Sequence, residues 1–163
     1  MPMKIKFFTT GGTIDKVYFD ARSEYQVGSP QVREIVQAAN VAFDYEIVSL
    51  LQKDSLEMSD ADRLLVRTAV EGDPCEKIII THGTDTMIDT ARTLHGVQGK
   101  TIIFVGAMEP ARSRYTDAEF NIGVAIGAVQ ALPPGIYIAM SGCLYPADQV
   151  RKNYETRRFE AIP

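Results

Sequence analysis

The fold is decided by a stretch in the middle of the chain, Lys77-Ile78-Ile79-Ile80-Thr81-His82-Gly83-Thr84-Asp85-Thr86-Met87. An apolar run followed by a polar, glycine-containing turn is typical of a buried strand and the loop that leaves it. The same pattern stands near the N-terminus, where Ile5-Lys6-Phe7-Phe8 precedes Thr9-Thr10-Gly11-Gly12-Thr13-Ile14. The two stretches therefore predict two strands, each ending in a turn rich in threonine and glycine.

Strand-like and helix-like segments alternate along the rest of the chain. We predict strands at residues 5–9, 43–50, 77–81, 101–106 and 136–140, and helices at residues 29–40, 59–72, 84–97 and 116–132. This alternation indicates an α/β domain with a mostly parallel sheet. We expect a three-layer sandwich of flavodoxin or Rossmann type, with one domain over residues 1–163. Residues 144–163 show no clear period.

Capping residues predict where two of these helices begin. Ser29 followed by Pro30 is a typical helix start, and so is Ser59 with acidic residues in the turn after it. For the helix after Ser59 we expect an apolar stripe that includes Leu64, Leu65, Thr68 and Ala69. Residues 15–28 are too long for a routine connection, and loops of that length are often lids or binding loops.

Composition excludes several classes of function. The net charge of −4, from 17 basic and 21 acidic residues, argues against a nucleic-acid surface. We find no apolar run long enough for a membrane helix and no signal-peptide core at the N-terminus. Two cysteines and two histidines predict neither a disulfide framework nor a transition-metal site. We therefore expect a cytoplasmic protein without membrane or nucleic-acid partners.

The two threonine turns are the candidate chemical groups. Carboxyl ends of parallel strands are where ligands bind, so two such turns could place two hydroxyls in one crevice, as a threonine-nucleophile hydrolase needs. For Thr13 a capped tight turn and a phosphate loop remain alternatives, and Thr84-Asp85 could simply cap a helix. We interpret His82 as structural and His95 as a surface residue, and we keep Cys143 as an alternative thiol nucleophile.

Taken together, these segments resemble the L-asparaginase family of bacterial type, which contains threonine amidohydrolases. Residues 9–14 look like its first threonine motif, and residues 81–87 match its second motif throughout. Residues 54–58 resemble its substrate-binding serine segment, and residues 105–110 its Val-Gly-Ala-Met-Arg-Pro stretch, with Glu109 in place of arginine. Phe120-Asn121 falls where the family has a Phe-Asn pair. The resemblance covers about residues 1–160 and implies the fold of the family's N-terminal domain, without its usual second domain.

The resemblance also implies a role for each site residue. Thr13 would be the nucleophile, and Tyr25 would be its hydroxyl partner in a mobile lid. Thr84, Asp85 and Lys152 would form a second triad, in which an acidic neighbour favours the charged lysine as an orienting group. The substrate would be bound by Gly12, Ser55, Thr84 and Asp85, with Ser55 on the α-carboxylate and Asp85 on the α-ammonium. No cofactor or metal is implied.

The expected reaction is hydrolysis of L-asparagine to L-aspartate and ammonia through an acyl-threonine intermediate. We expect a homodimer or higher homo-oligomer, because the absent second domain leaves family packing surfaces that need cover. Leu56 stands where many family members have a polar residue near the substrate amino group. Two alternatives follow, an amidase for another amide such as glutamine or an amidated amino-acyl group, and a non-catalytic amino-acid-binding module.

Overall fold

A computed structural model describes residues 2–19 and 24–163. The central sheet contains β1 (Lys4–Gly11), β4 (Asp44–Lys53), β5 (Lys77–Thr81), β6 (Thr101–Val105), β7 (Gly135–Met140) and β8 (Cys143–Pro146). Their order across the sheet is β4-β1-β5-β6-β7-β8, and all neighbours are parallel except β7 and β8. The predicted α/β fold with a mostly parallel sheet is confirmed.

Helices cover both faces of the sheet. They are α1 (Val32–Ala38), α2 (Asp60–Gly72), α3 (Met87–Arg92) and α4 (Ala118–Ala131). Successive strand side chains point to opposite faces. Ile78 and Ile80 therefore pack in one core with residues of α2 and α3, while Ile79 packs in the other with residues of α1 and α4. The two cores make the predicted three-layer sandwich.

Three predictions about the helices are wrong. The first helix begins after Gln31 rather than at Ser29-Pro30, because the Asp15 carboxylate accepts the Gln31 N–H at 2.8 Å. The third helix begins at Met87, after a turn, and ends at Arg92. In α2 the buried residues are Val66 and Val70, whereas the predicted stripe residues Leu64, Leu65 and Thr68 are exposed and Ala69 is half-buried.

In the part of the chain that the structure describes, two hairpins lie outside the central sheet, and neither was predicted. β2 (Lys16–Phe19) pairs with β3 (Glu24–Val27) in the segment expected to be a loop, and β9 (Val150–Asn153) pairs with β10 (Arg158–Ala161). Residues 20–23, part of the predicted lid, lie outside the described residues. Within the described ranges, no helix has the length and apolar character that crossing a membrane requires.

Candidate active site

The two threonine motifs leave the sheet side by side. β1 and β5 are parallel neighbours, and Thr9 pairs with Thr81 at their carboxyl ends. The five parallel strands, numbered along the chain, follow the order 2-1-3-4-5 across the sheet. In this topology ligands bind outside the carboxyl ends of the first and third strands, where the strand order reverses. Both motifs begin at that position.

Glycines bring the two motif backbones into contact. Gly12 has φ of 86°, a conformation that glycine adopts without steric cost. A Cβ atom at Gly12 would lie 2.4 Å from the Gly83 backbone nitrogen, and one at Gly83 would lie 2.6 Å from the Ser55 Cβ. The absence of side chains at both glycines therefore lets three loops pack together. Thr13 and Thr84 each follow a contacting glycine by one residue.

Hydroxyl groups of the motifs tie these loops to one another. The Thr86 hydroxyl donates to the Ser55 carbonyl at 2.8 Å, and the Thr10 hydroxyl donates to the Thr81 carbonyl at 2.9 Å. Ser55 is buried and opens a short 3-10 turn capped by the Asp54 carboxylate. The predicted serine segment thus lies against the second threonine motif.

Lys152 joins the second motif from the C-terminal part of the chain. Its ammonium nitrogen Nζ donates to Thr84 Oγ1 at 2.9 Å and to Asp85 Oδ1 at 2.8 Å. Only 11% of the Lys152 side chain is exposed, against 31% for Asp85. Hydrogen bonds between charged partners are the stronger ones. Because the lysine occupies a lone pair of the Thr84 oxygen, the Thr84 hydroxyl keeps its own hydrogen for another acceptor.

The β9–β10 hairpin places Lys152 by packing its apolar residues into the core. Val150 and Phe159 are 1% and 2% exposed and belong to the core shared with α2 and α3. Phe159 pairs with Lys152 across the hairpin, and its carbonyl accepts the Tyr145 hydroxyl at 3.0 Å. A hydrophobic anchor on the strand opposite Lys152 therefore fixes where the ammonium lies.

His82 is a structural residue of the second motif, as predicted. It is fully buried, with Nδ1 2.8 Å from the Gly83 carbonyl and Nε2 2.8 Å from the Thr90 hydroxyl. Burial lowers the pKa of His82 to about 4, so the ring is neutral at pH 7. The imidazole therefore supports the Gly83 turn. His95 is exposed, as predicted.

Thr13 precedes β2 along the chain, and Tyr25 lies on β3, the strand that pairs with β2. Thr13 is half-buried and begins a 3-10 turn, Thr13–Asp15, that leads into β2. Tyr25 lies on β3, is 56% exposed and packs edge-on against Tyr18 with 5.5 Å between ring centroids. The contact described for Tyr25 is thus with Tyr18, and its partnership with Thr13 stays a prediction.

The sequence analysis missed Tyr154, an aromatic residue that lies beside Lys152. Lys152 Nζ lies 4.8 Å from the centroid of the Tyr154 ring. Burial, the charge of Asp85 and a side-chain hydrogen bond with Asp85 raise the pKa of the Tyr154 hydroxyl. A tyrosine two residues beyond the predicted lysine was the only signal in the sequence.

A cavity of about 750 Å³ lies near the carboxyl ends of β6 and β7. Asp117 and Asn121 are among its lining residues, and the Asp117 carboxylate accepts the backbone N–H groups of Met108 and Glu109. These bonds hold the backbone that follows β6 against the start of α4. Among the described residues, no group of three or more His, Cys, Asp or Glu is arranged to hold a metal ion.

The fold and the paired threonine loops define a class of protein, the α/β domains of asparaginase type. A family model described as "Asparaginase, N-terminal" matches residues 4–162. This chain therefore belongs to the asparaginase family.

Three named proteins show how far the similarity extends. It is 34% identical to L-asparaginase 2 of Escherichia coli (strain K12), over 75% of this chain and 37% of that protein. It is 30% identical to the glutaminase-asparaginase of Acinetobacter glutaminasificans, over 80% of this chain and 40% of that protein. The thermostable L-asparaginase from Thermococcus kodakarensis superimposes with a TM-score of 0.84 at 26% identity, over 98% of this chain and 51% of that chain. The chain thus spans about two-fifths of these curated relatives and half of the structural one.

Proposed function

We propose that this protein is an amidohydrolase that converts L-asparagine and water into L-aspartate and ammonia, with Thr13 as nucleophile. The observation that carries the proposal is the packing of Gly12 against Gly83 and of Gly83 against Ser55. This packing supports a single site to which both threonine motifs and the serine segment contribute. Relatives named asparaginase and glutaminase-asparaginase support the reaction class.

In the proposed first step, Thr13 Oγ1 attacks the side-chain carboxamide carbon and forms a carbon–oxygen bond. Threonine is a weak nucleophile until a base accepts its proton, and we assign this acceptor to the Tyr25 hydroxyl or a water molecule. The proton then passes to the amide nitrogen, the carbon–nitrogen bond breaks and ammonia leaves. An acyl ester on Thr13 remains.

In the second step, water attacks the ester carbon, the bond to Thr13 Oγ1 breaks and the threonine recovers its proton. Lys152 donates to Thr84 Oγ1 and Asp85 Oδ1, which supports a charged orienting group rather than a base. Thr84, thus held, has its hydroxyl hydrogen available for the substrate or for water. Ser55 and Asp85 are proposed to bind the α-carboxylate and the α-ammonium.

Ammonia release from L-asparagine tests this assignment in the wild type, Thr13→Ala and Thr84→Ala. We expect each substitution to lower kcat by at least about 10²-fold, since a positioned acid–base group contributes that much. Thr68→Ala is the matched control, because Thr68 is an exposed threonine on α2. Equal activity in all four proteins would defeat the nucleophile assignment, and loss in Thr68→Ala would reveal a general folding defect.

A second candidate is hydrolysis of another amide, such as glutamine. It is favoured by the glutaminase-asparaginase relative and by Leu56, which is 71% exposed beside Ser55. A panel of asparagine, glutamine and amidated amino-acyl compounds decides between the two, since turnover of asparagine alone excludes this candidate. Calorimetry with aspartate separates both from a binding module, for which we expect heat of binding without ammonia release.

A further inference from the structure

We propose that Tyr154 is a positioning residue for the candidate site and that its ring keeps the Lys152 ammonium on Thr84 and Asp85. The effect on turnover rests on the proposed function. The effect on Lys152 itself does not, so the two can be tested separately.

The position of Tyr154 is fixed by the turn between β9 and β10. Tyr154 directly follows the last residue of β9, Asn153, whose Oδ1 accepts the backbone N–H groups of Glu155 at 3.0 Å and Thr156 at 3.2 Å. Such local side-chain bonds define a turn. The turn holds the aromatic ring 4.8 Å from Lys152 Nζ, within the range of about 6 Å over which a cation is attracted to a ring face.

The ring face accepts no strong hydrogen bond from the ammonium, while the Tyr154 hydroxyl makes its own side-chain hydrogen bond with Asp85. A lysine ammonium has three donor hydrogens, and Thr84 Oγ1 and Asp85 Oδ1 each accept one. A carboxylate at position 154 would draw the lysine away from these partners, whereas an aromatic face attracts the charge and accepts no strong hydrogen bond. Tyr154 is 64% exposed while the Lys152 side chain is 11% exposed, so the ring is the more solvent-exposed partner of this contact.

Loss of the ring should therefore slow turnover. Without it, the ammonium can leave Thr84 Oγ1 for water, and Thr84 loses the donor that orients its hydroxyl. Ser55, proposed to bind the α-carboxylate, keeps its buried position and the bond that its carbonyl accepts from Thr86. Asp85, proposed to bind the α-ammonium, loses its bond from Lys152 together with Thr84.

Kinetics of Tyr154→Phe and Tyr154→Leu separate the ring from the hydroxyl. A cation–aromatic contact at an exposed position is worth a factor of about two to five in an equilibrium. We expect Tyr154→Leu to lower kcat by a factor of about two to five, and Tyr154→Phe to keep the wild-type kcat. Tyr115→Leu, which removes an exposed tyrosine from the neighbouring cavity, is the control. Equal kcat in Tyr154→Leu and wild type would overturn the proposal, as would an equal loss in Tyr154→Phe.

Chemical labelling tests the same inference without turnover. Acetic anhydride modifies accessible amines, and mass spectrometry gives the rate at Lys152 relative to Lys4, whose side chain is 52% exposed. We expect faster labelling of Lys152 in Tyr154→Leu than in wild type, and wild-type protection in Tyr154→Phe. An unchanged rate in Tyr154→Leu overturns the proposal. If wild type hydrolyses no amide, the proposed function fails and the labelling result alone decides the role of Tyr154.

Discussion

At the scale of single residues, Asp15 is a group whose buried environment opposes its charge. It is 2% exposed, its carbonyl accepts the Gly28 N–H, and its carboxylate accepts the Gln31 N–H. Burial, opposed by the bond from Gln31, raises the pKa of Asp15 to about 7. The folded protein therefore binds a proton that the unfolded chain, with an aspartate pKa of about 3.9, has already released at pH 5 to 6.

Asp15 should make the protein less stable as pH rises. A raised folded-state pKa gives a contribution that is complete below about pH 4 and is lost as pH rises through 7. We expect Asp15→Asn, which imitates the protonated form, to increase the free energy of unfolding at pH 8 by up to about 4 kcal/mol relative to wild type, and by nearly nothing at pH 4.

Urea unfolding at several pH values measures this difference. Asp148→Asn serves as the matched control, because Asp148 is exposed. A constant offset between Asp15→Asn and wild type from pH 4 to pH 8 would contradict the predicted proton uptake.

At the scale of elements, α2 is the helix whose start follows most directly from its own sequence. Ser59 Oγ accepts the Asp62 N–H at 3.2 Å, and Asp62 Oδ2 accepts the Ser59 N–H at 2.9 Å. Lys53 on β4 donates to the same carboxylate oxygen at 2.8 Å. This reciprocal cap stabilises the first turn and attaches it to the sheet.

Removing this cap should affect stability alone. We expect Ser59→Ala to lower the free energy of unfolding by about 1 kcal/mol, the usual cost of losing a serine cap. Turnover should be unchanged, because the cap lies on the helix rather than in the threonine loops. Thermal unfolding and the ammonia assay measure both quantities, and a loss of activity without a loss of stability would contradict this account.

The comparison of these helices shows why only some element ends are predictable. The α2 cap is made by residues three positions apart, so the sequence signal and the bond coincide. At the start of α1, the Gln31 N–H donates to Asp15, which is 16 positions earlier in the chain. The prediction that this helix starts at Ser29-Pro30 was wrong because the start depends on that distant carboxylate. Leu64 and Leu65 misled because apolar side chains also occur on exposed surfaces.

The residues of the candidate site also differ in how far the sequence alone could predict them. The threonine loops were predictable because each motif is contiguous and follows an apolar strand. Lys152 was assigned only from a weak local similarity to the family. The strands β9 and β10 have four residues each, which is too short for a recognisable periodicity. Tyr154 could not be assigned, because its proximity to Lys152 depends on a turn formed by Asn153.

At the scale of the whole molecule, apolar side chains exposed beyond the carboxyl ends of β6 and β7 bear on assembly. Tyr115 is 82% exposed and Phe120 is 63% exposed, and both line the cavity there. Contiguous exposed apolar surface marks interaction sites. The expectation of a homo-oligomer, which the single chain leaves untested, is consistent with this surface.

We predict that the protein forms a homodimer at micromolar concentration and that Phe120→Asp weakens it. If Phe120 is buried on dimerisation, a carboxylate in its place loses its hydration without gaining a partner, which is costly. Sedimentation velocity measures the association, with Leu64→Asp on exposed α2 surface as the control. A monomer at all concentrations would contradict the prediction, and so would equal dimerisation of both variants.

The contact between Gly12 and Gly83 limits how such a protein can diversify. Even a methyl group at either position would collide with neighbouring atoms. The distance between the two loops is therefore set by the contact between their backbones. Substitutions at Gly12 and Gly83 are therefore poor choices in a variant library for new substrates. Variation is better directed at the rim, where residues such as Leu56 face solvent and can change without moving the loops apart.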